Sequence, residues 1–208
     1  MKILFFGDSI TDAGRNRAVD FQVSSYGYGY VHCIAAELLS KHPTEYEIIN
    51  RGISGNRIVD LYARIKRDVW NLQPDVISIL IGVNDVWHEL DQQNGVELER
   101  WAKVYRMLIE DTLKVLPNVK IILCEPFVLD GTATTESFEK FLEVKMYAAA
   151  AKQIAEEYNL PFVALQDMLH KAAQESAPEQ VLADGVHPAI GGAKRIANEW
   201  LKLFNEIN

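Results

Sequence analysis

The sequence predicts a three-layer α/β protein in which helices cover both faces of a parallel sheet of about five strands. Short apolar runs alternate with amphipathic helical patterns along the whole chain. One run, residues 76–81, is apolar except for Ser78, which is typical of a central parallel strand buried on both faces. The 208 residues contain no repeats and no Pro/Ser-rich linker, so we expect a single domain over residues 1–208.

The strands are predicted from short apolar runs that end in polar or glycine-containing turns. They cover residues 2–6, 46–50, 76–81, 120–124 and 162–165. Right-handed crossovers between parallel strands place their C-terminal ends along one edge of the sheet. Ligands bind at that edge in open α/β proteins, so the turns after the strands are where functional residues are expected.

The helices are predicted from apolar residues spaced three and four apart. They cover residues 30–40, 58–69, 96–116, 138–158 and 190–204. Pro43, Pro74 and Pro117 end or follow the first three, since proline cannot continue a helix. We interpret residues 82–87 as a loop, and the chain from residue 166 to the final loop as helical or irregular.

Charge and cysteine content limit the partners and the compartment. The formal charge of -8 and the pI of 5.2, with no basic run, argue against nucleic acid or an anionic membrane as a partner. No secretory segment precedes the first strand, and no stretch approaches the roughly 20 apolar residues of a membrane span. Cys33 and Cys124 are expected to be free core thiols. A cytoplasmic protein is predicted, and a homo-oligomer is compatible with the sequence.

Polar turns after the predicted strands bring together the residue types of acyl transfer. Ser9 follows the first strand, Gly55 the second and Asn84 the third, and Asp184 and His187 lie in the loop before the last helix. A nucleophile, a base, an orienting acid and hydrogen-bond donors would thus share one cleft.

Each of these signals has a structural alternative. Gly7-Asp8-Ser9 is also ordinary turn chemistry, in which Ser9 would cap the helix that follows. Asp184 and His187 could likewise cap the last helix, and Asn84 could belong to a simple turn. The ordered set of residues favours catalysis over these alternatives.

The chemistry gives each residue a predicted role. His187 would take the proton from the Ser9 hydroxyl and return it to the leaving alcohol. Asp184 would hold the other imidazole nitrogen and fix the tautomer. The backbone N–H groups of Ser9 and Gly55, with the side-chain amide of Asn84, would form the oxyanion hole.

No cofactor and no metal are predicted. The remaining histidines lack the spacing of metal-ligand motifs. They are His32, His42, His88 and His170. Residues 7–14 lack the Lys-Ser/Thr ending of a phosphate-binding loop.

Four segments, in order and spanning the whole chain, resemble the sequence blocks of the SGNH (GDSL-type) hydrolases. They are Gly7-Asp8-Ser9-Ile10, Gly55-Asn56, Gly82-Val83-Asn84-Asp85 and Asp184-Gly185-Val186-His187-Pro188. The resemblance implies a flavodoxin-like fold (the SGNH hydrolase fold), metal-free ester hydrolysis, and the roles given above for the site residues. Ile10 stands where the family name has leucine.

Longer stretches resemble the intracellular acetyl-xylan esterases, which remove acetyl groups from xylo-oligosaccharides. They are GDSITDAGR, GYGYV, RGISGNR and IGVNDVW. One departure is Ala183, because that branch carries an aromatic residue just before the acid of the last block. The resemblance implies an acetylated oligosaccharide, a small-molecule acyl ester, as the substrate.

The predicted function is therefore a serine esterase for short acyl groups. We expect Trp87, Arg57 and Phe127 to bind substrate. A general short-chain carboxylesterase, a lysophospholipase or a thioesterase of the same fold remains open. So do a non-catalytic carbohydrate-binding domain and a metal-dependent phosphoesterase.

Overall fold

The computed structural model describes residues 1–207 and contains one sheet of five parallel strands. The strands are β1 (Lys2–Gly7), β2 (Glu47–Gly52), β3 (Val76–Leu80), β4 (Lys120–Cys124) and β5 (Phe162–Val163). Their order across the sheet is β2-β1-β3-β4-β5. The predicted fold class is confirmed, since helices lie on both sides of this sheet.

The register brings the ends of the central strands together. At the C-terminal end of β1, Gly7 pairs with Gly52 of β2 and with Leu80 of β3. The turns that follow these three strands therefore start from neighbouring points on one edge of the sheet.

Nine α-helices cover the sheet among the described residues 1–207. They are α1 (Ser9–Asp12), α2 (Tyr30–Lys41), α3 (Ile58–Asp68), α4 (Val83–Gln92), α5 (Leu98–Val115), α6 (Phe138–Phe141), α7 (Val144–Glu157), α8 (Gln166–Glu175) and α9 (Ile190–Ile207). Helix α2 packs against α9, and α5 packs against both α3 and α7. Right-handed crossovers place α2 and α9 on one face and α3, α5 and α7 on the other.

Aromatic clusters fill the two sides of the sheet. On the α9 side, Trp200 is fully buried, stacks on Phe204 and lies 5.1 Å from the Phe5 ring centroid. Its indole N–H donates to the Ser78 hydroxyl at 3.0 Å, so its one polar group is satisfied inside the core. The α5 side contains the edge-to-face rings of Trp101 and Tyr105.

Several elements differ from those predicted. The predicted loop over residues 82–87 is helical instead, because α4 begins at Val83, directly after Gly82 ends the strand. Its apolar residues Val83, Val86 and Leu90 do have helical spacing, yet no polar linker separates them from the strand. The predicted helix over residues 138–158 is divided by a turn at residues 142–143. Strand β2 begins one residue later and ends two residues later than predicted.

In the part of the chain that the structure describes, no helix combines the length and hydropathy needed to cross a bilayer.

Candidate active site

Ser9 lies at the edge of the sheet because β1 ends at Gly7 and a one-turn helix begins immediately. Asp8 caps that helix, and its Oδ1 accepts a hydrogen bond of 2.9 Å from the backbone N–H of Ile10. Ser9 is the first helical residue, so its side chain and its backbone N–H stand at the open end of α1. The capping function considered for Ser9 is performed by Asp8.

Ser9, His187 and Asp184 form a continuous row of hydrogen bonds. The Ser9 Oγ lies 2.9 Å from the His187 Nε2, and the His187 Nδ1 lies 2.7 Å from the Asp184 Oδ2. When Nδ1 carries the proton and donates it to Asp184, Nε2 is free to accept the hydroxyl proton of Ser9. These contacts match those expected of a nucleophile, a base and an orienting acid.

The final loop is shaped by the same aspartate. The Asp184 Oδ1 accepts the backbone N–H groups of Val186 at 2.9 Å and His187 at 2.8 Å, while Oδ2 faces the imidazole. Burial alone would raise the pKa of Asp184, but these hydrogen bonds outweigh it, so the pKa lies below its usual value. Asp184 is thus ionised at neutral pH, as an orienting acid must be.

The segment after β4 holds the final loop in place. The Leu129 N–H donates to the Gly185 carbonyl at 2.8 Å, and the Ala133 N–H donates to the Asp184 carbonyl at 2.9 Å. Gly185 has φ 98°, and a Cβ there would lie 2.6 Å from both the Leu129 oxygen and the hydroxyl of buried Thr134. Sequence analysis missed this segment because these contacts join segments far apart in the chain.

Three candidate oxyanion donors meet beside Ser9. Gly55 has φ 81°, which turns the loop after β2 toward the cleft. Within residues 1–207, the backbone N–H groups of Ser9 and Gly55 donate to no protein acceptor. The Asn84 side-chain amide donates one hydrogen to the Asn56 carbonyl at 3.1 Å, which leaves its second N–H for a ligand.

Arg64 connects the loops that carry these donors, a role that sequence analysis did not identify. Its guanidinium donates to the Gly7 carbonyl at 3.0 Å, the Arg51 carbonyl at 2.9 Å and the Asn56 side-chain oxygen at 2.7 Å. The Asn56 carbonyl in turn accepts from Asn84. One largely buried arginine therefore joins the ends of β1 and β2 to the residue that orients Asn84. The spacing of the apolar residues around Arg64 indicated only that it belongs to an amphipathic helix.

Of the three predicted substrate-binding residues, the structure brings only Trp87 to the cleft. The Trp87 ring lies 6.1 Å from the His187 ring and packs edge-to-face on Phe141. Phe127 is 0% exposed, so its predicted contact with substrate is wrong. The prediction for Arg57 is corrected as well. Its guanidinium pairs with Asp60 and donates to the Asn94 carbonyl at 2.6 Å, and Arg57 does not line the cleft.

The cleft has two lobes that share Ser9, Ser54 and His187. The small lobe, about 180 Å³, is lined in addition by Gly55, Asn84, Trp87, His88, Asp91 and Gln92. The large lobe, about 510 Å³, is lined in addition by Asp12, Ala13, Gly14, Arg15, Arg17 and Tyr28. The sequence analysis gave no role to the six residues that line the large lobe alone. Their loop composition resembles that of any surface turn.

Two carboxyl groups, those of Asp8 and Asp85, are buried directly beside Ser9 and Asn84 in the sequence. Asp8 is 1% exposed, and its Oδ2 has no hydrogen-bond partner among the described residues. Burial raises the pKa of Asp8 to about 7, against partial opposition from the Ile10 N–H and His187. Asp85 accepts the Ile58 N–H at 3.0 Å, and burial, together with the charge of Asp8, raises its pKa well above the usual value.

These buried acids predict a stability that falls as pH rises. A carboxyl group with an ordinary pKa of 3.8 when unfolded and about 7 when folded binds more protons in the folded state between those values. The stability that Asp8 contributes is fully present below about pH 4 and is lost as the pH rises to about 7. At about 1.4 kcal/mol per pKa unit, the free energy of unfolding falls by up to about 4 kcal/mol. We expect Asp8→Asn to remove this component of the slope when urea unfolding is measured from about pH 4.5 to 8.

The control for that measurement is Glu139→Gln, which changes an exposed carboxylate on α6. Its free energy of unfolding should follow the wild-type pH dependence. Parallel curves for wild type and Asp8→Asn would show that Asp8 has no raised pKa.

No group of three or more potential metal ligands occurs in residues 1–207.

Comparisons with known proteins agree in fold and over nearly the whole chain. The model of the GDSL-like lipase/acylhydrolase family matches residues 5–195. An acetylxylan esterase from Geobacillus stearothermophilus is 36% identical, over 97% of this chain and 92% of that protein. A crystal structure of a protein from Parabacteroides merdae, described as a GDSL-like lipase, has a TM-score of 0.92 at 39% identity and covers 98% of this chain and 95% of its own.

Solved structures of the Geobacillus esterase include catalytic mutants. One of them has a TM-score of 0.87 at 35% identity, with 97% of this chain and 93% of that chain covered. A serine, an aspartate or a histidine is replaced by alanine in these mutants, and the aspartate and histidine are three positions apart, as are Asp184 and His187. A further mutant replaces a tryptophan directly before that aspartate, where this chain has Ala183.

Proposed function

The chain belongs to the GDSL-like lipase/acylhydrolase family, a family of carboxylic ester hydrolases, and from that premise we propose that it removes acetyl groups from xylo-oligosaccharides. The observation that carries the proposal is the row from Ser9 through His187 to Asp184, which ends at an open cleft beside unpaired N–H donors. The relative named for acetylxylan supports the substrate class. One domain spanning residues 1–208 would perform the whole reaction.

In the first half of the reaction, the Ser9 Oγ attacks the acetyl carbonyl carbon while its proton passes to the His187 Nε2. The imidazolium is stabilised by the ionised Asp184 at Nδ1. The carbonyl oxygen becomes an oxyanion, held by the N–H groups of Ser9 and Gly55 and by the Asn84 amide. Collapse of this intermediate breaks the bond to the sugar oxygen, which takes the proton from Nε2 and leaves as an alcohol.

In the second half, water replaces the alcohol. His187 removes a proton from water as its oxygen attacks the acetyl-serine carbonyl, and the same donors hold the second oxyanion. Collapse returns the proton to the Ser9 oxygen and releases acetic acid, which ionises at neutral pH. The proposed reaction uses no cofactor, because His187 transfers each proton and the N–H donors stabilise each oxyanion.

The small lobe suits a short acyl group. Its volume of about 180 Å³ lies below the roughly 300–1,000 Å³ typical of pockets that enclose drug-sized ligands. The oxyanion donors Gly55 and Asn84 line this lobe, so an acyl carbon attacked by Ser9 would place its oxygen here.

The direct test is acetate release from acetylated xylo-oligosaccharides, with ethyl acetate and an acyl thioester as comparison substrates and a chelator present. The proposal expects acetate from the oligosaccharide at a higher kcat/KM than from ethyl acetate. Turnover of ethyl acetate or of the thioester alone would indicate a general esterase or thioesterase. Oligosaccharide binding without any turnover would indicate a carbohydrate-binding domain.

Asn84→Ala is expected to lower kcat by about 10²- to 10³-fold, because one of three oxyanion donors is lost. KM should change little, since the ground-state carbonyl needs this donor less than the oxyanion does. Steady-state kinetics on ethyl acetate measure both constants.

Asn94 provides a matched control, because it allows the same Asn→Ala change outside the cleft. Its backbone carbonyl accepts a hydrogen bond from Arg57, and its side chain lines neither lobe. Asn94→Ala should retain the wild-type kcat. An unchanged kcat in Asn84→Ala would remove Asn84 from the proposed oxyanion hole.

We also propose a cytoplasmic location. Cys33 and Cys124 are both free thiols in the structure, and free cysteines are the usual state in a reducing compartment.

A further inference from the structure

We propose that the large lobe is the subsite for the sugar alcohol and that Tyr28 is its stacking platform; this inference rests on the proposed deacetylation of oligosaccharides. The lobe is bordered by the same Ser9 and His187 that border the small lobe, but Gly55 and Asn84 do not line it. At about 510 Å³, it is nearly three times the size of the small lobe and falls within the range of small-molecule pockets.

The division of the cleft assigns the two parts of an ester to different lobes. The acyl oxygen must reach the oxyanion donors, and Gly55 and Asn84 line only the small lobe. The leaving oxygen must reach the Nε2 of His187, which borders both lobes. The alcohol can therefore extend into the large lobe while the acyl group stays beside Gly55 and Asn84.

Tyr28 presents an aromatic side chain to the large lobe from a fixed backbone. Its backbone N–H donates to the Ala13 carbonyl at 3.0 Å, and its ring lies against Gly14, where an added Cβ would approach the ring to 2.6 Å. The residue is nevertheless 76% exposed. An aromatic ring held on one side and open on the other can stack on the apolar face of a sugar ring.

Charged residues that line the large lobe can form hydrogen bonds with sugar hydroxyls. The Arg17 guanidinium pairs with the Asp12 carboxylate but keeps a half-exposed side chain. Asp12 is buried and also accepts the Ser54 N–H at 3.1 Å, so the pair is fixed to the loop after β2. A guanidinium donates to hydroxyl oxygens and a carboxylate accepts from hydroxyl protons, so a neutral polyol can satisfy both.

The aromatic side chains of the cleft also favour Tyr28. Apart from histidines, Tyr28 and Trp87 are the aromatic residues that line the two lobes. Trp87 lies on the small-lobe side. Ala183 offers no ring before Asp184, so stacking on the alcohol side depends on Tyr28.

The experiment compares Tyr28→Ala and Tyr28→Phe with wild type on acetylated xylo-oligosaccharides and on ethyl acetate. The ratio of kcat/KM for the oligosaccharide to that for ethyl acetate should fall about 5- to 20-fold in Tyr28→Ala, mainly through KM. Tyr28→Phe keeps the ring and should stay within about twofold of the wild-type ratio. Phe21→Ala removes an aromatic that is 56% exposed but outside both lobes, and should keep the ratio.

A second series varies the acyl group from acetyl to hexanoyl with ethanol as the fixed alcohol. The preference among acyl groups should be the same in Tyr28→Ala and wild type. A changed acyl preference with an unchanged oligosaccharide ratio would place the acyl group in the large lobe and overturn the proposal. An unchanged ratio and unchanged preference would also overturn it. Wild type that hydrolyses ethyl acetate but no acetylated sugar would instead refute the proposed function, and this inference with it.

Discussion

Ser9→Ala is expected to lower kcat on ethyl acetate and on acetylated xylo-oligosaccharides by about 10⁴- to 10⁶-fold. The substitution removes the only protein atom in the proposed mechanism that forms a bond to the acyl carbon, and the oxyanion donors alone give a small residual rate. Acetate release, measured with chelator present, provides the test. Binding of the oligosaccharide should persist, because neither lobe loses a large contact.

The fold of Ser9→Ala should remain intact. The Ser9 hydroxyl has its hydrogen bond to His187 and none in the core, and Asp8 rather than Ser9 caps α1. The thermal midpoint should therefore stay within a few degrees of wild type. A folded variant that retained more than about a tenth of the wild-type kcat would exclude Ser9 as the nucleophile.

The sequence predicted the arrangement of the candidate site because one rule of topology connects distant segments. Parallel strands end at the same edge, so residues after β1, β2 and β3 had to be neighbours wherever the intervening helices lay. The pairing of Gly7 with Gly52 and Leu80 realises this expectation. The final loop follows no strand of the sheet, and its place depended on the residue types of the site alone.

The predictions that Phe127 and Arg57 bind substrate were wrong because burial of one side chain and ion pairing of the other decided their roles. Phe127 follows β4 and so shared the expected edge, but topology does not tell whether a residue after a strand faces the cleft or the core. Arg57 is the capping residue directly before α3, and its ion pair with Asp60 three positions later is part of a local cap. A short-range partner of this kind competes with any ligand, and it was visible in the sequence as an i, i+3 charge pair.

The supporting contacts could not be predicted in this way. Arg64 reaches the ends of β1 and β2 and the Asn56 side chain, and Thr134 supports the loop that contains Gly185. These contacts depend on the depth and angle at which helices and loops pack. The sequence of α3 indicates only that one face of the helix is apolar.

Asp184→Asn is expected to lower kcat by about 10⁴-fold while the final loop keeps its shape. The asparagine Oδ1 can still accept the N–H groups of Val186 and His187, which at present bond to the Asp184 Oδ1. Its amide N–H₂ would replace the oxygen that faces the His187 Nδ1. Nδ1 must then act as the acceptor, so the proton moves to Nε2, and the imidazole can no longer accept the proton of Ser9.

Asp184→Ala separates this tautomer effect from a structural one. Alanine removes both carboxylate oxygens, so the two backbone N–H groups lose their acceptor as well as the imidazole its partner. Thermal denaturation should therefore show a lower midpoint for Asp184→Ala than for Asp184→Asn, although both lose activity. If Asp184→Asn kept wild-type kcat, the tautomer of His187 would be fixed by something other than Asp184. If it lost kcat together with stability, Asp184 would act through the loop. Loss of kcat at an unchanged midpoint is the result that assigns Asp184 to the orientation of His187.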